Sequence, residues 1–175
     1  GAREGMDVLV VGGGRLGTAL ASLIAKLGKR VTIWVRAEEV ADSINDQHRN
    51  EASLPGIELA ESLIATTALG PAVRETPAVI MAVPSVAFRG VARTLGDHLE
   101  GDQVLVHTTK GLEVSSLKRM SQVLREETCS LKIGVLSGPT IATEIIAGHP
   151  TGMLLASRFD EVHERVQTLF DGGFT

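Results

Sequence analysis

The sequence predicts an α/β fold: a doubly wound, mainly parallel β-sheet with helices packed on both faces. Three observations carry that prediction. Short β-branched runs alternate along the chain with longer stretches of helical apolar spacing. Aromatic residues are only 3% of the 175 residues, with one tryptophan and no tyrosine, so the core rests on Val, Ile, Leu and Ala, which suits a buried parallel sheet. A cluster of glycines stands where the first strand gives way to the first helix.

The elements follow in order. Residues 7–11 (Asp-Val-Leu-Val-Val) read as a buried strand. A helix over 15–27 sets Leu16, Ala19, Leu20, Leu23, Ile24 and Leu27 on one face, and Gly28 follows as its terminating glycine. Residues 30–35 form the second strand, 38–47 the second helix, and Pro55-Gly56 a turn. Further strands are expected at 78–83, 103–107, 133–136 and 153–156, with helices at 86–95, 115–127, 141–147 and 159–170. No repeat, low-complexity tract or linker interrupts the alternation, so 6–175 reads as one domain, an ordinary length for one. Residues 1–5 read as a remnant ahead of a natural start at Met6. The closing Asp171-Gly172-Gly173-Phe174-Thr175 looks like a turn entering another strand, which predicts truncation.

Composition narrows the function. A formal charge of −4 without any basic run argues against nucleic acid and acidic membranes as partners. The longest apolar stretches are strand-length, far short of the roughly 20 residues of a membrane helix. Val8 to Val11 is too short for a signal peptide, so a cytoplasmic location is expected. Cys129 is a single cysteine outside any ligand cluster, and no metal site is expected.

Gly12, Gly14 and Gly17 form G-x-G-x-x-G, with Gly13 as an extra glycine. Following a strand and opening a helix, this pattern marks a Rossmann-type turn for a dinucleotide. The first glycine permits the turn, the second admits the pyrophosphate, and the third packs helix on strand. The helix amino terminus then offers N–H groups to the phosphates. The second strand ends Trp34-Val35-Arg36, without the acidic residue that selects NAD through the ribose hydroxyls. Arg36 suits a 2′-phosphate or an adenine face, which tilts the choice towards NADP(H), while Glu38 and Glu39 moderate the tilt.

Four later segments stand in order: Ile44-Asn45-Asp46-Gln47-His48-Arg49-Asn50 with Leu54-Pro55-Gly56, then Val83-Pro84-Ser85, then Thr109-Lys110-Gly111-Leu112-Glu113. The last is Leu136-Ser137-Gly138-Pro139-Thr140 with Ala142, Glu144, Gly148 and Pro150-Thr151. Together they resemble the NAD(P)-dependent glycerol-3-phosphate dehydrogenase family. The resemblance implies reversible hydride transfer between NAD(P)H and dihydroxyacetone phosphate, giving sn-glycerol 3-phosphate. It implies that Lys110, Gly138 and Thr140 contact substrate. It assigns the cofactor to Gly12, Gly13, Gly14, Arg15, Leu16, Gly17, Arg36, Pro84, Lys110 and Ala142. In the family a helical C-terminal domain supplies the main catalytic lysine, the phosphate-binding arginine and much of a homodimer contact. No catalytic residue is therefore expected in this chain, and it is expected to bind dinucleotide without turning over substrate.

The chain departs from the pattern at Leu16 and Ser53, where the family commonly has aromatic residues. His48 and His107 are read as structural, and Ser85 lacks a partner base that would make it a nucleophile. Two other readings stay open: a stand-alone NAD(P)-binding or redox-sensing module, and a related ketopantoate or β-hydroxyacid dehydrogenase.

Overall fold

In the computed structural model, residues 5–130, 132–137 and 153–171 are described. Among the described residues, seven strands build one sheet: β1 (Val8–Val11), β2 (Val31–Trp34), β3 (Ile64–Thr66), β4 (Ala78–Met81), β5 (Val104–His107), β6 (Ile133–Ser137) and β7 (Leu154–Ser157). The helices described are α1 (Arg15–Lys26), α2 (Glu38–Gln47), α3 (Leu69–Glu75), α4 (Ser85–Gly96), α5 (Met120–Glu127) and α6 (Asp160–Phe170). The strand order is β3-β2-β1-β4-β5-β6-β7; neighbours are parallel except β6 and β7, which run antiparallel.

Side chains of a strand point alternately to its two faces, and here both faces are apolar. Val8 and Val10 of β1, Ala78 and Ile80 of β4, and Val104 and Val106 of β5 pack on α1, α2 and α6. Leu9, Val11, Val79, Met81 and Leu105 face α3, α4 and α5. Strands buried on both sides read as continuous apolar runs, which is why β1 and β4 were legible. Each fully buried Val, Leu or Ile contributes about 1.5–3 kcal/mol.

The chain winds outward from β1 to β3, then crosses back to place β4 on the other side of β1. Ligands of such sheets bind outside the carboxyl ends of the strands at that reversal. The crossover also contains what the sequence reading lacked. β3 has three residues, too few to display a period, and α3 carries Gly70 and Pro71 in its first turn. Proline is tolerated there because early helical N–H groups have no intrahelical partner.

Other boundaries moved for physical reasons. The helix expected over 115–127 starts only at Met120. Leu117 is left-handed (φ 59°), and Leu112 bridges Arg119 in antiparallel fashion, so 112–119 forms a small hairpin instead. Its closure is secured by Glu113 N–H to the Lys118 carbonyl (2.8 Å) and Leu117 N–H to the Glu113 carbonyl (2.7 Å). β4 stops at Met81, where the chain peels away to Val83 and Pro84. Gly28 does end α1, at φ 92°, its N–H bonded to the Ala25 carbonyl. The helix expected at 141–147 lies outside the described residues.

Candidate cofactor site at the crossover

β1 ends at Val11 and α1 begins at Arg15, so Gly12, Gly13 and Gly14 alone make the turn. Gly12 has φ 125°, and a Cβ there would collide with the Ala82 carbonyl. A Cβ at Gly17 would strike the Gly12 carbonyl oxygen and come within 3.2 Å of Ala82 Cβ, so α1 presses directly on the turn. Gly14 is different: a Cβ there would meet nothing within 4 Å, leaving its side of the turn open to a ligand. Gly14 is also the N-cap of α1. No side chain caps the helix and its first turn has no acid, so the first amides keep their capacity for an anion.

The turn is braced from the segment that follows α2. Asn50, buried, donates to the Gly13 carbonyl (3.0 Å) and to Thr18 Oγ1 (3.0 Å). Ser53 Oγ donates to the same Gly13 carbonyl at 2.7 Å. Asn45 pairs in both directions with the backbone of Ala65 in β3 (2.9 and 2.8 Å). The two asparagines of the Ile44 to Asn50 motif thus tie its helix and loop to the sheet and the glycine turn.

A cavity of about 550 Å³ opens above the crossover. Gly12, Gly13, Gly14, Arg15 and Leu16 form its floor; Trp34 and Arg36 come from the end of β2. The opposite wall is Ala82, Val83, Pro84, Val86 and Ala87, with Thr108 and Thr109 beyond β5. The walls are largely apolar, while Arg15 and Arg36 are exposed and make no hydrogen bond or ion pair among the described residues. An apolar cleft, an uncapped helix amino terminus and two unpaired guanidinium groups fit a ligand with an aromatic base and several phosphates.

At the far side, Thr108 N–H and Thr109 Oγ1 donate to the Met81 and Val83 carbonyls (3.0 and 2.6 Å). Lys110 comes next, exposed and unpaired among the described residues, just outside the cavity lining. Gly111 then turns at φ 92° and delivers Glu113 to Arg89 of α4, bidentately at 2.7 and 2.9 Å. Arg89 also reaches Glu127 (2.8 Å) and Glu126 (3.2 Å) of α5, where Arg93 and Lys118 complete the cluster. The Arg89 guanidinium and the Ser116 hydroxyl hold the Glu113 carboxyl down at about 2.

Of the residues expected at the cofactor, Gly12, Gly13, Gly14, Arg15, Leu16, Arg36 and Pro84 line the cavity, Gly17 lies beneath it, and Lys110 stands at its edge. Gly138, Thr140 and Ala142 lie outside the described residues. Sequence reasoning missed Trp34, Thr108 and Thr109 as lining residues and Asn50 and Ser53 as braces. Thr109 had a signal, since it directly precedes Lys110 in the quoted motif; Ser53 had none. His48 is the left-handed C-cap of α2 (φ 57°), and His107 is buried beside Phe88; neither lines the cavity. Among the described residues no cluster of His, Cys, Asp or Glu could hold a metal, and no helix is long and apolar enough to cross a membrane.

Known proteins resemble this chain in sequence and fold. A family model described as NAD-dependent glycerol-3-phosphate dehydrogenase N-terminus matches residues 7–163. The glycerol-3-phosphate dehydrogenase [NAD(P)+] of Teredinibacter turnerae is 40% identical over 165 residues, covering 94% of this chain and 48% of that protein. The same enzyme of Moorella thermoacetica is 42% identical over 164 residues, covering 94% and 49%. The crystal structure of glycerol-3-phosphate dehydrogenase from Coxiella burnetii superposes with a TM-score of 0.84 at 28% identity, covering 94% of this chain and 50% of that one. The chain spans about half the length of the curated relatives it matches.

Proposed function

Because the chain belongs to the NAD-dependent glycerol-3-phosphate dehydrogenase family, at its N-terminal part, we propose that it binds NADP(H) or NAD(H) in the crossover cavity, with NADP(H) favoured. The observation that carries this reading is the open Gly14 at the uncapped start of α1, beside a cavity lined by Arg15 and Arg36, both unpaired among the described residues. The pyrophosphate would take the first amides of α1, and Arg36 a 2′-phosphate.

When bound, the nicotinamide supplies or accepts the hydride that interconverts dihydroxyacetone phosphate and sn-glycerol 3-phosphate. This chain's share is to bind and orient. Pro84, Val86 and Thr109 wall the end of the cavity that leads to Lys110. The Lys110 ammonium would neutralise charge on a substrate carbonyl or phosphate oxygen. Gly138 and Thr140 would contact substrate and Ala142 the cofactor, by family resemblance. A homodimer in the cytoplasm is the setting we propose for the whole enzyme.

Calorimetric titration of the purified chain with NADPH and NADH tests the reading. NADPH binds more tightly, and Arg36→Ala weakens it about tenfold while moving NADH less than about twofold. A folded chain that binds neither nucleotide overturns the reading.

A further inference from the structure

We propose that Thr67 is a positioning residue that sets the preference between the two dinucleotides by holding the Glu38 carboxylate away from the ribose end of the cavity. The proposal rests on the reading of that cavity as a dinucleotide site. Thr67 follows the end of β3 and is half-buried. Its hydroxyl donates to Glu38 Oε1 at 2.5 Å, and its carbonyl accepts from Trp34 Nε1 at 3.0 Å. One residue therefore fixes both a side chain of the cavity wall and the acid nearest to it in sequence.

Glu38 opens α2 only two residues after Arg36, close to where an acid would accept the ribose hydroxyls and repel a 2′-phosphate. Yet Arg36 lines the cavity and Glu38 does not, and neither does Glu39 beside it. The sequence offers charges of both signs at this corner, and Thr67 decides which of them meets the ligand. A freed Glu38 would satisfy its oxygens on the ribose or on Arg36, and either contact works against a 2′-phosphate.

The test is the ratio of NADH to NADPH dissociation constants in the whole 175-residue chain. Thr67→Val removes the hydroxyl but keeps the shape and the carbonyl that holds Trp34. The expected result is a fall of about tenfold in NADPH preference, with NADH binding unchanged or tighter. Thr67→Ser keeps the parental ratio, and Glu38→Gln added to Thr67→Val restores it to within about twofold. Glu38→Gln alone changes the ratio by less than about twofold, because the carboxylate is already withdrawn. Equal weakening of both nucleotides in Thr67→Val assigns Thr67 a merely structural role and overturns the proposal, as does an unchanged ratio. Failure of the parent chain to bind either nucleotide overturns the cofactor reading itself, and this inference with it.

Discussion

At the carboxyl end of β5, His107 is 3% exposed and stands edge-on to Phe88, their ring centroids 5.6 Å apart. Its Nε2 pairs with Ser121 Oγ at 3.0 Å, while Nδ1 is buried without a hydrogen-bond partner among the described residues. Burial disfavours the imidazolium and pushes the group down to about 4, outweighing an upward pull from the Thr109 backbone. The unfolded chain takes up this proton near pH 6.5 and the folded one only near 4, so the stability held above pH 6.5 is lost as pH falls through that window. The loss amounts to about 3 kcal/mol. In urea denaturation at pH 7.5, 5.5 and 4.5, His107→Leu is expected to shed most of that loss, while at pH 7.5 it differs from the parent by about 1 kcal/mol for the missing Ser121 bond. An unchanged pH profile would place the titration elsewhere. Legibility at this scale was uneven. The roles of Gly12 and Gly17 followed from spacing, because close backbone approach demands glycine. Ser53 read only as a departure from the family pattern, whereas it bonds the Gly13 carbonyl, a contact made 40 residues away in sequence.

Between elements, the Arg89 cluster does what no single residue does, since it ties the 112–119 hairpin to α4 and α5 together. The Glu113 side chain is only 14% exposed, so salt screens this pair less than it would a surface one. Arg89→Met leaves Glu113 without its guanidinium partner, while Lys118 still holds Glu126 and Arg93 still holds Glu127; a fall in Tm of about 5 °C at pH 7 is expected, measured by calorimetry. The parent has carboxyls held below their ordinary values, so its stability drops as pH falls from about 4.5 towards 2. The variant lacks the Arg89 share of that stabilisation, most of it at Glu113, so it loses less over the same window and the two melting curves converge in acid; a gap that stays constant with pH would refute the account. The hairpin also explains a misread element. Val114, Leu117 and Met120 carry helical spacing, but Leu117 is left-handed and the first two are exposed, so periodicity alone overextended α5. β3 and α3 were missed for the opposite reason: one is too short for a pattern and the other opens on Gly70 and Pro71.

For the molecule as a whole, alternation of apolar runs with helical spacing sufficed to predict the layers, because a sheet covered on both faces leaves a continuous apolar record in every central strand. The site was less legible, because its walls come from the ends of β1, β2, β4 and β5, which only the winding of the chain brings together. The same geometry bears on activity. The chain spans about half of its relatives, and the resemblance assigns the principal catalytic lysine to their other half. Oxidation of NADPH on adding dihydroxyacetone phosphate to this chain alone is therefore expected not to exceed the blank rate, even where titration shows full binding. A robust rate would mean that Lys110 and its neighbours suffice. One further property follows from Trp34, the single tryptophan of a chain that has no tyrosine. Because its indole lines the cavity, the protein's ultraviolet emission originates at the wall of the site. A reduced nicotinamide in the cavity would quench it by resonance energy transfer, so the molecule carries an intrinsic optical gauge of its own occupancy.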